Sequence, residues 1–151
     1  MLKIWGRLNS INVQKVLWCC GELGLKYERV NAGNESGVND TPAYHALNPN
    51  GLVPTIEDDG FVLWESNAII RYLSSKVEGE TLCPLDIQTR FDAERWMDWQ
   101  ATTFWPRLRP LFIQLIRTKE AQRRIDLIRK GQRDCLSATQ ILDARLSDEI
   151  I

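Results

Sequence analysis

Apolar and polar residues alternate from Leu2 to Trp5 and the run stops at Gly6, which predicts a short strand. From Ile11 to Leu23, Val13, Val16, Leu17 and Cys20 recur at helical spacing, and Gly24 is placed to end that helix. Tyr27 to Asn31 predicts a second strand. Asn, Gly, Ser and Asp crowd the stretch from Asn31 to Thr41, which marks a loop, and Pro42 to Leu47 predicts a short helix. Leu52 to Glu57 and Phe61 to Trp64 are apolar runs joined by Asp58-Asp59-Gly60, a hairpin signal that makes them antiparallel neighbours. Ser66 opens a helix with the stripe Ile69, Tyr72, Leu73 and Val77.

Residues 79–84 carry turn chemistry, and from Asp86 onward only helical patterns follow. Asp86 to Thr118 predicts one long helix with Phe91, Trp96, Trp99, Phe104, Leu108, Leu111, Phe112 and Leu115, kinked or broken near Pro106 and Pro110. Core packing accounts for its aromatic residues, while Arg95 and Asp98 beside the tryptophans also allow a cleft or partner surface. Lys119 to Leu146 predicts another helix, with a stripe at Ile125, Ile128, Cys135, Leu136, Thr139 and Leu142. The element order makes a mixed four-strand sheet with helices against it, followed by an all-helical unit. The expected organisation is therefore α/β plus all-α, with a first domain over 1–78, a linker over 79–85 and a helical domain over 86–151.

Composition narrows the function classes. In 151 residues, 44% are hydrophobic and 26% charged, the balance of a soluble globular protein. A net charge of -1 gives no global attraction to nucleic acid or anionic membranes. The basic stretch from Arg107 to Arg133 reads as a solvated helix face. The N-terminus has no signal-peptide pattern and no apolar run reaches membrane-spanning length, so cytoplasm is the expected location. The four cysteines contain no C-x-x-C pair, which excludes a thioredoxin-type dithiol and a zinc knuckle; they read as apolar fillers in a reducing compartment. A single histidine, His45, cannot anchor a metal site.

Candidate chemistry gathers at the ends of the predicted elements. Ser10 falls at or just before the N-terminus of the first helix, where unpaired N–H groups and the positive dipole end favour an anion such as a thiolate; it also suits a simple N-cap. Val53-Pro54 opens a strand with a residue that lacks an N–H, so a bend there can turn the Val53 main chain outward to pair with a ligand's peptide groups; an edge-strand proline is the alternative. Glu65-Ser66 starts the next helix. A carboxylate-binding Ser beside a Glu suits a ligand with both an ammonium and a carboxylate, as an amino acid has, although an acidic first helical turn is common.

The order of these features is more specific than any one of them. N-P-N-G-L-V-P-T-I, then W-E-S-N-A-I-I-R-Y-L, at this distance from N-S-I-N-V-Q-K-V, resembles the amino-terminal domain of the glutathione S-transferase family. R-W-M-D-W-Q-A is similar to the family's long helix after the linker. The resemblance covers residues 1 to about 147 and is strongest from Asn48 to Leu73, nearest the bacterial theta-like and nu-like groups. It implies a thioredoxin-like first domain and a partial α-helical second domain, cut short of the family's later helices.

The resemblance also assigns roles. Ser10 matches the hydroxyl that bonds the glutathione sulfur, and Asn12 an asparagine that shares this work. Val53 matches the residue pairing with the cysteinyl main chain, Pro54 the family's cis-proline, and Glu65 with Ser66 the pair holding the γ-glutamyl ammonium and carboxylate. Leu52 stands where many theta-like members have a lysine for the glycine carboxylate. The implied activity is glutathione transfer to a hydrophobic electrophile, by a homodimer, without metal. A glutathione-dependent disulfide or peroxide reductase, and a non-catalytic binding protein of the same fold, remain the alternatives.

Overall fold

The computed structural model describes residues 1–77 and 82–147, the side chain of Glu35 excepted. Two compact units are formed, Met1–Arg90 and Phe91–Ile151. Residues 79–81 of the expected linker lie outside the described residues; 82–86 are non-helical.

The first unit runs β1 (Leu2–Trp5), α1 (Ile11–Glu22), β2 (Tyr27–Val30), α2 (Pro42–Leu47), β3 (Thr55–Asp58), β4 (Phe61–Trp64) and α3 (Ser66–Lys76). Its sheet is the expected mixed four-strand one, in the order β2-β1-β3-β4. β1 pairs parallel with β2 and antiparallel with β3, opposite which it sets Ile4 against Ile56. Leu2, Ile4 and Ile56 meet Val16, Cys19 and Cys20 of α1 and Ile69 and Leu73 of α3 in one buried cluster. Thr55 precedes Ile56 and so faces the other side of the sheet, where α2 supplies Tyr44.

Three local differences from the sequence reading have physical causes. β3 begins at Thr55 and not Leu52, because Pro54 has no N–H for the ladder; the Val53-Pro54 bond is cis. The loop from Asn31 to Thr41 contains two 3-10 turns, Asn34–Ser36 and Val38–Asp40. Val77 is the C-cap of α3, in extended conformation, so the helical stripe stops at Leu73. Gly24 does follow α1 as expected: its N–H bonds the Gly21 carbonyl, and that of Leu25 bonds Cys20.

The second unit is helical. α4 (Ile87–Trp99) starts after Asp86, whose carboxylate accepts from the Thr89 N–H at 2.8 Å and its hydroxyl at 2.7 Å. The long predicted helix continues as a π-helical stretch (Gln100–Phe104), α5 (Trp105–Phe112) and a second π stretch (Ile113–Arg117). Pro106 and Pro110 each remove an N–H donor, and the chain stays helical with widened turns rather than breaking. The aromatics here are half-exposed and pair with one another, Trp96 with Trp99 at 5.5 Å and Trp99 with Phe104 at 5.7 Å; none in α4 or α5 is buried, contrary to the expectation of core packing.

α6 (Ile125–Ser147) begins six residues later than predicted (119 against 125). Arg123 is extended and bonds the carbonyls that end the previous helical stretch, Leu115 at 2.9 Å and Thr118 at 3.3 Å, while Gln114 Oε1 accepts the Arg124 N–H at 2.7 Å. The expected stripe of α6 is kept in part, with Ile128, Cys135, Thr139 and Leu142 half-buried. Gly131 and Ala138 are its buried residues, whereas Ile125 and Leu136 of the expected stripe are exposed.

Candidate functional site

The turn after β1 brings Ser10 to the N-cap of α1. Its backbone is extended, its carbonyl accepts the Gln14 N–H at 2.9 Å, and its side chain makes no capping hydrogen bond. The hydroxyl therefore does not serve the helix, although it is buried with the residue. Asn12 follows in the first turn of the same helix.

Asn12, Leu52, Val53, Pro54, Glu65 and Ser66 line one small cavity of about 50 Å³, together with Asn48 and Asn50. Six of the seven residues singled out by the sequence are thus brought together, and Ser10 lies two residues from Asn12 at the same helix start. With about 10–15 Å³ for each water-sized group, the cavity has room for an amino-acid head group rather than a whole peptide.

Glu65 occupies the N-cap position of α3 with φ 72°, a left-handed backbone that a glutamate rarely adopts. Its carbonyl accepts the Ile69 N–H at 2.9 Å, so the helix holds it there. Ser66, the first residue of α3, is buried, and no side chain caps this helix start, where the positive end of the helix dipole favours a carboxylate. Lys15 of α1 stands beside this corner and donates to Asn67 Oδ1 at 2.7 Å. Burial lowers its pKa, and the charge of Glu65 works against that shift.

The bend at Val53-Pro54 is fixed from behind by side chains to which the sequence reading gave no role. The Tyr44 hydroxyl donates to the Leu52 carbonyl at 2.7 Å, and Asn48 Nδ2 donates to the same oxygen at 2.9 Å. Asn48 Oδ1 accepts the Asn50 N–H at 3.0 Å. Gly51 turns between them with φ 62°, and a Cβ there would lie 2.8 Å from His45 Cε1. The signal was present in N-P-N-G-L-V-P, whose asparagines recur at the spacing of an Asx-type turn.

The chemistry left by the remaining groups is narrow. Cys20 is buried against the sheet, its pKa pushed up to about 11 by burial first and the neighbouring Cys19 second, so it is no nucleophile at neutral pH. All four cysteines are free. No cluster of metal-ligating side chains occurs among the described residues. No described helix is long and apolar enough to cross a membrane.

Known proteins resemble the chain in sequence and in fold. Residues 9–76 match the family described as glutathione S-transferase, N-terminal domain. Glutathione S-transferase GstB of Escherichia coli K12 is 41% identical over 149 residues, 97% of this chain and 72% of that protein. Glutathione S-transferase 3 of Zea mays is 37% identical over 117 residues, 76% of this chain and 52% of that protein. Among solved structures, a theta class glutathione S-transferase from Xanthomonas axonopodis pv. citri, with glutathione bound, superposes with a TM-score of 0.92 at 45% identity. That match covers 97% of this chain and 70% of the other.

Proposed function

The chain belongs to the glutathione S-transferase family and is a glutathione-using transferase; we propose that Ser10 activates the glutathione thiol for attack on an electrophilic small molecule. The observation that carries this reading is the cavity in which Glu65 and Ser66, at the start of α3, stand with Val53 and Asn12. Glu65 offers a carboxylate for the γ-glutamyl ammonium, and Ser66 with the α3 N-terminus offers donors for its carboxylate. The outward main chain of Val53 pairs with the cysteinyl peptide, which directs the sulfur toward Ser10 and Asn12. Leu52, 66% exposed, contributes only apolar surface at the glycine end.

The energetics close without a metal. A free thiol has a pKa near ~8.5, and lowering it by about two units requires roughly 2.7 kcal/mol of preference for the thiolate. A hydroxyl hydrogen bond to a charged acceptor supplies ~1.5–3 kcal/mol. The α1 N-terminus adds ~0.3–1 kcal/mol. The Ser10 side chain, not engaged in capping, is placed for that bond. In the transfer step the sulfur forms a bond to the electrophilic carbon, the bond to the leaving group breaks, and the thiol proton has already passed to solvent.

The same reading assigns residues 1–78 to glutathione binding and 86–151 to a partial helical domain joined by the linker at 79–85. It makes the second reactant a hydrophobic electrophile and the assembly a cytoplasmic homodimer. Support for assembly comes from Ile87 and Phe91 of α4, which are 66% and 59% exposed. Burying such side chains is worth about 1.5–3 kcal/mol each. Calorimetric titration with glutathione, followed by conjugation of 1-chloro-2,4-dinitrobenzene, tests the whole. Binding with turnover supports transfer; binding with disulfide exchange alone replaces it with the reductase, and absence of binding removes both.

A further inference from the structure

α1 and α3 share one core, in which Val16, Cys19 and Cys20 meet Ile69 and Leu73. Nearer their N-terminal ends a polar contact ties the same two helices, Lys15 Nζ donating to Asn67 Oδ1 at 2.7 Å. Both side chains are half-buried. A surface lysine ordinarily keeps its ammonium in water. Here the hydration that the ammonium loses is met by the amide oxygen and by the charge of Glu65.

These two residues stand next to the small cavity without lining it. Lys15 lies one turn after Asn12 on the same face of α1, and Asn67 directly follows Ser66. Asn12, Glu65 and Ser66 line the cavity; Lys15 and Asn67 are behind them. Among the described lining residues Glu65 is the one with a formal charge. Glu65 by itself suits an ammonium and repels a carboxylate. The N-terminus of α3 carries on the order of +0.5 of a charge, half of what offsets Glu65. The ammonium of Lys15 supplies a whole one. It favours a carboxylate on Ser66 and competes with a ligand ammonium for Glu65.

We propose, resting on the glutathione reading above, that Lys15 is a positioning residue: bonded to Asn67 at the start of α3, it supplies the positive charge that lets Ser66 hold the γ-glutamyl carboxylate beside Glu65. Its effect is then confined to one pole of the ligand. Loss of Lys15 weakens the hold on the carboxylate and leaves the hold on the ammonium intact.

The test titrates three ligands into the wild type, Lys15→Met and Lys15→Gln, by calorimetry or, for a weak ligand, by competition against glutathione. The ligands are glutathione, 4-aminobutanoyl-cysteinyl-glycine, which lacks the α-carboxylate, and glutaryl-cysteinyl-glycine, which lacks the α-ammonium. Methionine keeps the unbranched stem and helix propensity of lysine. Glutamine keeps a hydrogen-bond donor without the charge, and covers misfolding of the methionine variant. In both variants glutathione and the glutaryl ligand should bind about tenfold more weakly, the size of one charge-assisted interaction. The 4-aminobutanoyl ligand should bind no more weakly than to the wild type. A merely structural clasp between α1 and α3 would weaken all three ligands alike, and that result overturns the proposal. Unchanged glutathione affinity also overturns it. A wild type that binds none of the three removes the glutathione reading itself, whereas one that binds glutathione and shows equal losses removes only the role of Lys15.

Discussion

The hydroxyl of Tyr44 stands 2.8 Å from the hydroxyl of Thr55. A phenol has one proton, and Tyr44 gives it to the Leu52 carbonyl, so the proton between the two hydroxyls comes from Thr55. Asn48 Nδ2 completes the network by donating to Thr55 Oγ1 at 3.1 Å. All three side chains are buried, and together they hold the bend that presents Val53. Tyr44→Phe leaves the Thr55 proton without its acceptor and should cost about 1–3 kcal/mol in urea unfolding. Glutathione affinity should fall with it. Lost stability at unchanged affinity would confine the network to folding.

Ser66 opens α3 inside the small cavity. Ser66→Ala should weaken glutathione binding by roughly 1–3 kcal/mol, the range for a bond to a charged group, with little change in Tm. Calorimetry reads the affinity; an unaltered constant would reject the carboxylate assignment.

Ser10 occupies the N-cap position without capping, so its hydroxyl can be removed at small cost to α1. In Ser10→Ala the pKa of bound glutathione should rise toward the free value of ~8.5. Thiolate absorbance against pH reports it. A curve that stays in place would give the sulfur to Asn12 or to a main-chain N–H at the same helix start.

How far the sequence could be read depended on the kind of interaction. The strands and helices of the first unit follow from local periodicity and from Asp59-Gly60, which take φ 50° and 87° in the hairpin. The grouping of Val53, Glu65 and Ser66 was legible because each occupies the end of an element, and the ends of a wound sheet converge. The Tyr44–Thr55–Asn48 network was not legible, since it joins a helix to a strand across a sheet face and leaves no periodic trace. Lys15 in α1 reads as an ordinary helix-surface residue; only the fold brings it to Asn67. Hydrophobicity misled in α6, where small residues rather than Ile125 and Leu136 make the contact.

Acid should selectively loosen the end of the hairpin. The buried carboxylate of Asp58 accepts from Lys76 and, at 2.8 Å, from the Tyr72 hydroxyl, and these hold its pKa below the usual aspartate value, the Lys76 bond most of all. A depressed carboxylate stabilises the fold fully above its unfolded pKa of ~3.9, and that stability is lost as pH falls through the lower folded value. Asp58→Asn should therefore lower Tm at pH 7, and the gap to the wild type should begin to narrow as pH falls below ~4. A gap that does not narrow at all as the pH is lowered, by circular dichroism, would place the effect in packing instead.

Gly131 of α6 lies directly against Leu111 of α5. A Cβ there would lie 2.8 Å from Leu111 Cβ and 3.2 Å from the Leu111 main-chain nitrogen. Alanine is the better helix former by about 0.8–1 kcal/mol, so propensity alone argues that Gly131→Ala stabilises α6. Overpacking argues the reverse, at about 1–3 kcal/mol, and a backbone atom cannot swing aside as the end of a flexible side chain can. The steric cost should win, with a net loss of roughly 1 kcal/mol and faster native-state hydrogen exchange at the amides of α5 and α6. The first unit, whose core lies in its own sheet and helices, should keep its protection. Slower exchange in α6 would mean that the two helices separate at little cost, and that the contact at Leu111 does not set their spacing.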